Sequence, residues 1–166
     1  AAPLWVDPSA HGRARGVRVR DGFAYVAAFL SGVQVFGLKD PEAPVLLDRL
    51  DTPGSLVADE ASAGVSSDDG VLAVADGRAG VTFFDLADPA APALAGTLDT
   101  SDAVRVVASV GNVVYACNDN QGLVAVDAND PKAPSLLGEA AFTDVSGSDA
   151  CRDLAPAEGL LYVARS

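Results

Sequence analysis

The chain runs to 166 residues with 49% apolar side chains, enough for one domain with a sizeable core and too apolar for disorder to be the default. Its formal charge of −12, from 23 acidic against 11 basic residues, disfavours nucleic acid and anionic membrane as partners, since both need clustered Lys and Arg. No run approaches the roughly 18 uninterrupted apolar residues of a membrane helix, and the first residues lack the basic-then-apolar pattern of a signal peptide.

In chain order, Ala1-Ala2-Pro3 reads as the tail of a turn that recurs downstream, and residues 4–6 as a short strand after it. A strand over 15–20 follows, then the tight turn Asp21-Gly22 and the apolar run Phe23-Ala24-Tyr25-Val26-Ala27. A loop ends in Gly32, which leads Val33-Gln34-Val35-Phe36; the turn Asp40-Pro41-Glu42-Ala43-Pro44 and a strand over 45–47 complete the set. The order then repeats. The second copy has strands over 63–67 and 71–75 around Asp69-Gly70, then Gly80-Val81-Thr82-Phe83-Phe84, Asp88-Pro89-Ala90-Ala91-Pro92 and 93–95. The third has 105–109 and 113–117 around Gly111-Asn112, then Gly122-Leu123-Val124-Ala125-Val126, Asp130-Pro131-Lys132-Ala133-Pro134 and 135–137. The chain closes with 152–155, Glu158-Gly159 and Leu160-Leu161-Tyr162-Val163-Ala164.

A repeat of just over forty residues holding four short strands predicts an all-β fold, a β-propeller with four antiparallel strands (A to D) per blade. Strand B is apolar on both faces, which suits a strand sandwiched between neighbouring blades. Ten prolines, sixteen glycines and the β-branched runs work against helix. The blades are expected over 15–51, 52–99 and 100–144, with 1–14 the end of a preceding blade and 145–166 the first half of a further one. That count leaves the N-terminal D strand without its C partner. It predicts a piece of a larger propeller, with exposed edges that seek another chain; the other reading is a four-bladed ring with one degenerate blade.

These segments resemble the LVIVD-repeat family, whose repeat runs roughly Arg-x-Val-x-Val, Gly-Asn, Tyr-Val-Ala, Gly-Leu-x-Val-x-Asp, then Asp-Pro-x-x-Pro. The resemblance covers nearly the whole chain; the second copy departs from it, with Ala63 in place of the Arg and a longer approach over 53–61. It implies a β-propeller of bacterial or archaeal surface or secreted proteins, and leaves the biochemical role undefined.

Few residues carry chemistry. Arg15, Arg105 and Arg152 share one repeat position, two residues before the first expected buried position of the innermost strand. Three guanidiniums at one mouth of the central channel would form an anion site; pairing with Asp102, Asp149 or Asp153 is the plainer account. The segment Asn118-Asp119-Asn120-Gln121-Gly122 resembles the start of a calcium loop, but Asn129 stands where the bidentate Glu is required, so no cofactor is called for and calcium is only a remote option. His11, the sole histidine, has neither zinc-ligand spacing nor a nucleophile partner. Trp5, Tyr25, Tyr115 and Tyr162 are expected in strand cores. Cys117 and Cys151 should meet at one face of adjacent blades and form a disulfide, pointing to an oxidising compartment; two small buried thiols, in keeping with the Ala and Val at their equivalent positions, are the other reading.

Together these readings favour a noncatalytic secreted or cell-surface scaffold. It would bind a protein or glycan partner through loops at one face, or another chain completing the propeller. The alternative is an enzyme or small-anion binder using Arg15, Arg105 and Arg152.

Overall fold

The computed structural model describes residues 14–29, 31–56, 64–68, 70–100, 102–118, 122–142 and 151–165. They form three four-stranded antiparallel sheets and one two-stranded sheet. The first blade holds β1 (Gly16–Arg20), β2 (Phe23–Ala27), β3 (Val33–Gly37) and β4 (Val45–Leu50). The second holds β5 (Gly64–Asp68), β6 (Val71–Ala75), β7 (Val81–Asp85) and β8 (Ala93–Leu98). The third holds β9 (Val104–Val110), β10 (Val113–Asn118), β11 (Gly122–Asp127) and β12 (Ser135–Ala140). The fourth sheet pairs β13 (Cys151–Ala157) with β14 (Leu160–Arg165). Strand order within each blade follows the chain, as consecutive hairpins dictate. The outer strands are six residues long, about twice the predicted length. The strand predicted over 4–6, Trp5 and His11 lie outside the described residues.

Local chemistry explains each connection. Asp21 and Gly22 both take positive φ (49° and 81°), as do Glu158 and Gly159 (52° and 78°), which gives the twist a two-residue hairpin needs. Gly32, Gly80 and Gly122 open the third strands because nothing larger fits. A Cβ on them would lie 2.1, 2.2 and 2.2 Å from the carbonyl oxygens of Leu50, Leu98 and Ala140. The Asp-Pro turns are closed from within: Asp40, Asp88 and Asp130 each accept the backbone N–H two residues on at 3.0 Å.

The core lies between blades. Tyr25, Val33 and Val35 of the first face Leu72, Val74 and Phe84 of the second. Ala73, Ala75, Val81 and Phe83, on the opposite side of the second blade, face Val104, Val107, Val114 and Val126 of the third. Strand β6 is therefore apolar on both faces because both are covered. Each fully buried Val or Phe contributes about 1.5–3 kcal/mol. The third such cluster joins Ala108 and Cys117 to Cys151 and Leu154. The Tyr25 hydroxyl donates to the Pro89 carbonyl at 3.1 Å, so the first blade holds the Asp-Pro turn of the second.

Two expectations need correction. Tyr162 is 58% exposed rather than a strand core, because its face of β14 points away from the third blade while Leu161 and Val163 pack toward it. Val17, the expected first buried position of β1, is 62% exposed. It pairs with Val26 on the face of the first blade turned away from the second, the side that does not enter the core.

Candidate functional site

The first strands of the blades stand side by side, β1 against β5, β5 against β9 and β9 against β13. Between them lies a cavity of ≈ 440 Å³ bounded by Val17 and Arg18 of β1, Val107 of β9, and Leu154, Ala155 and Pro156 of β13. This is the central channel, with one wall from each of three blades.

Arg15, Arg105 and Arg152 all stand at the start of these inner strands, the end that pairs with the close of strand B. Two of them have the same local cause. Arg105 is the extra residue where the β9–β10 register shifts between Cys117 and Asn118. Arg152 is the extra residue where the β13–β14 register shifts between Cys151 and Asp153. Such a bulge re-aims a side chain without breaking the strand. Arg15 differs: its backbone N–H donates to the Ala27 carbonyl at 2.9 Å, and its guanidinium lies 5.3 Å from the ring centre of Phe29. All three are exposed. Of the carboxylates offered as partners, Asp149 lies outside the described residues.

The cysteines meet as expected. Cys117 ends β10 next to Asn118, Cys151 begins β13, and their sulfurs are bonded with the Cα atoms 6.0 Å apart. Both are buried in the cluster between the third and fourth blades. Of the calcium-like segment, Asn118 and Gly122 are described; Asn118 is buried, and among the described residues neither its side-chain oxygen nor its nitrogen has a hydrogen-bond partner. Among the described residues no three His, Cys, Asp or Glu side chains gather as a metal set. No helix there is long and apolar enough to cross a membrane.

One constellation escaped the sequence reading. Asp76, at the repeat position of Asn118, is fully buried and accepts from Thr52 Oγ1, from the Gly54 N–H at 2.9 Å and from Thr82 Oγ1 at 3.0 Å. Burial raises its pKa above the ordinary carboxylate value. The recurrence of Asp-Thr after both β4 and β8 (Asp51-Thr52 and Asp99-Thr100) was the available signal.

Sheets of consecutive hairpins, set around a channel walled by their first strands, define a β-propeller. The chain belongs to the LVIVD-repeat family, whose profile matches residues 11–52, 70–100 and 102–141, more than half of the chain. A comparison with curated proteins returned no match. Among solved structures, the chain is similar to the computationally designed Ika4 protein (11% identity, 99% of this chain and 92% of that one, TM-score 0.72). It is also similar to the glutaminyl cyclase of Myxococcus xanthus (14% identity, 93% of this chain and 62% of that one, TM-score 0.63). It thus spans most of the designed protein and under two thirds of the cyclase. At these identities the likeness concerns the fold alone.

Proposed function

We propose that this chain is a noncatalytic propeller scaffold, secreted or at the cell surface, that binds a protein or glycan partner through loops at one face. The observation that carries the reading is an asymmetry between the two faces. One face holds the two-residue A–B turns and the uniform Asp-Pro-x-x-Pro turns. The other holds the B–C loops, Ala28-Phe29-Leu30-Ser31-Gly32 against Asp76-Gly77-Arg78-Ala79-Gly80, which share little but the final Gly. The same face carries the connectors between blades, which range from 5 residues between Leu98 and Val104 to 13 between Leu50 and Gly64. A uniform scaffold presenting variable loops is the usual arrangement of a recognition surface. The disulfide supports an oxidising compartment.

The test is a glycan and peptide array probed with the chain and with two loop variants. One is Arg78→Glu; the other replaces residues 51–63 with the shorter 99–103 sequence. Loss of array binding in variants that retain the parent's melting temperature supports the reading. Binding unchanged in both variants, or turnover of a bound ligand, refutes it.

A second reading places a small anion at the channel mouth, held by Arg15, Arg105 and Arg152. The shared bulge that aims Arg105 and Arg152 favours it, and its test is given in the Discussion.

A further inference from the structure

We propose that Phe29 sets the specificity of the channel mouth, selecting an anion carried on a sugar ring, the carboxylate of an acidic glycan, that stacks on its side chain beside Arg15. This rests on the second reading above, an anion held at that mouth, and names the class of ligand.

Two loops share one backbone and carry different side chains. In the first blade the Ala28 N–H donates to the Gly32 carbonyl at 2.8 Å, the Ser31 N–H to that of Ala28 at 3.1 Å and the Gly32 N–H to that of Phe29 at 3.1 Å. In the second, Asp76 donates to Gly80 at 2.9 Å, Ala79 to Asp76 at 3.1 Å and Gly80 to Gly77 at 3.1 Å. The same three bonds close the same turn, and they put Phe29 where the second blade has Gly77. That position takes a left-handed backbone, with φ of 55° at Phe29 and 60° at Gly77. Glycine meets this demand without strain, whereas a residue with a Cβ loses stability there. Among the described residues the other non-glycines with positive φ are Asp21 and Glu158, each in a two-residue hairpin turn that calls for it. Phe29 is bulky and apolar, the kind of residue for which this conformation is an outlier.

Strain of this kind is found where the side chain has a task. Core packing is a poor account of it: Phe29 is half-buried and belongs to none of the three clusters between blades, in contrast to Phe83 and Phe84. Its ring centre lies 5.3 Å from the guanidinium of Arg15, at the same end of the inner strands as Arg105 and Arg152.

A bare inorganic anion would use the guanidiniums and leave the ring idle. A ligand that uses both needs a carboxylate for the guanidinium and a rigid apolar face for the ring. A hexuronic acid has both, since its carboxylate is fixed to a ring whose C–H bonds form an apolar face. An acidic peptide carries its carboxylates on flexible methylene stems, with no rigid face beside them.

The experiment measures, on the 166-residue chain, calorimetric affinities for a galacturonic acid trimer, a neutral galactose trimer and hexaglutamate, and the rise in melting temperature with inorganic phosphate. The acidic trimer should bind about tenfold more tightly than either of the others. Phe29→Gly should weaken the acidic trimer about 3- to 10-fold and leave the phosphate response unchanged. Its melting temperature should hold or rise by up to about 4 °C as the backbone strain is relieved. Binding lost while stability is kept is a result that a packing role cannot give. Arg15→Gln should weaken the acidic trimer more than it weakens phosphate. A Phe29→Gly chain that melts lower assigns the ring to packing and overturns the proposal. So does an acidic trimer bound no more tightly than the neutral trimer or hexaglutamate while phosphate still stabilises the chain; the anion site would then stand without this specificity. A chain that responds neither to phosphate nor to the acidic trimer sinks the anion reading itself, and this proposal with it.

Discussion

Thr52 donates its hydroxyl to Asp76 Oδ1 across the boundary between the first two blades, at 2.5 Å. Thr52 lies just past β4 and Asp76 just past β6, so two segments 24 residues apart are tied by one carboxylate. The Gly54 N–H and the Thr82 hydroxyl share Oδ2. Burial raises the Asp76 pKa, and these three donors offset that only in part.

Stability should therefore depend on pH through Asp76. A carboxyl that titrates higher in the folded than in the unfolded chain contributes fully below its unfolded pKa, and that contribution is lost as pH rises through the folded pKa. Relative to wild type, Asp76→Asn should lose this fall, because the amide keeps an acceptor for Gly54 and Thr82 and can donate to the Thr52 hydroxyl. Asp76→Ala, which strands buried donors, should cost about 1–3 kcal/mol. Urea midpoints across acidic to neutral pH check both; parallel pH profiles for wild type and Asp76→Asn would sink the assignment.

The disulfide joins two sheets that share a small cluster, and it closes a loop across a sequence separation of 34. Replacing both Cys117 and Cys151 with Ala, the residue already present at positions 27 and 75 of strand B, should lower stability by about 2–4 kcal/mol. Reductant should bring wild type to the same denaturant midpoint and leave the double variant unmoved. Two thiols titrating in unfolded, unreduced protein would contradict the bond.

Glycines in turns separate into two kinds. Gly70 and Gly80 share a φ of +79°, but a Cβ at Gly70 meets open space, whereas one at Gly80 would lie 2.2 Å from the Leu98 carbonyl oxygen. Gly70→Ala should cost about 1–2 kcal/mol, the strain of a left-handed backbone alone. Gly80→Ala should cost clearly more, because β7 or the end of β8 must move. Chemical denaturation of the two variants ranks them, and equal losses would show that the close approach carries no weight.

Much of the fold could be read from the chain because a repeat states each element several times over. Gly32, Gly80 and Gly122 mark one backbone approach, and the Asp-Pro turns mark another. The cysteine pairing followed from the same alignment of copies. Repeat logic fails where a copy's neighbours differ. Tyr162 holds the position of the buried Tyr25, yet the face it lies on is exposed. Val17 was placed inside by analogy with Val107 and Leu154, which pack against neighbours that Val17 does not meet among the described residues. The Asp76 latch was missed for the opposite reason: Ala28, Asp76 and Asn118 share a position but not a chemistry, so the signal lay in its partner segment, the Asp-Thr that recurs after β4 and β8, and not at the latch itself. Bulges are invisible to periodicity, and the aim of Arg105 and Arg152 came only with the observed register.

The arginines make the last prediction. If Arg15, Arg105 and Arg152 hold one anion, inorganic phosphate should raise the melting temperature at constant ionic strength, since a ligand that binds only the folded chain stabilises it by mass action. Arg105→Gln and Arg152→Gln should each weaken the apparent phosphate affinity by about tenfold, the scale of a lost charge-assisted hydrogen bond. Arg15→Gln should do less, because that guanidinium lies against Phe29. The order of the three effects is the discriminating result. A chain whose melting temperature responds equally to phosphate with all three arginines replaced has no anion site at this mouth, and the inner-strand bulges would then serve packing rather than recognition.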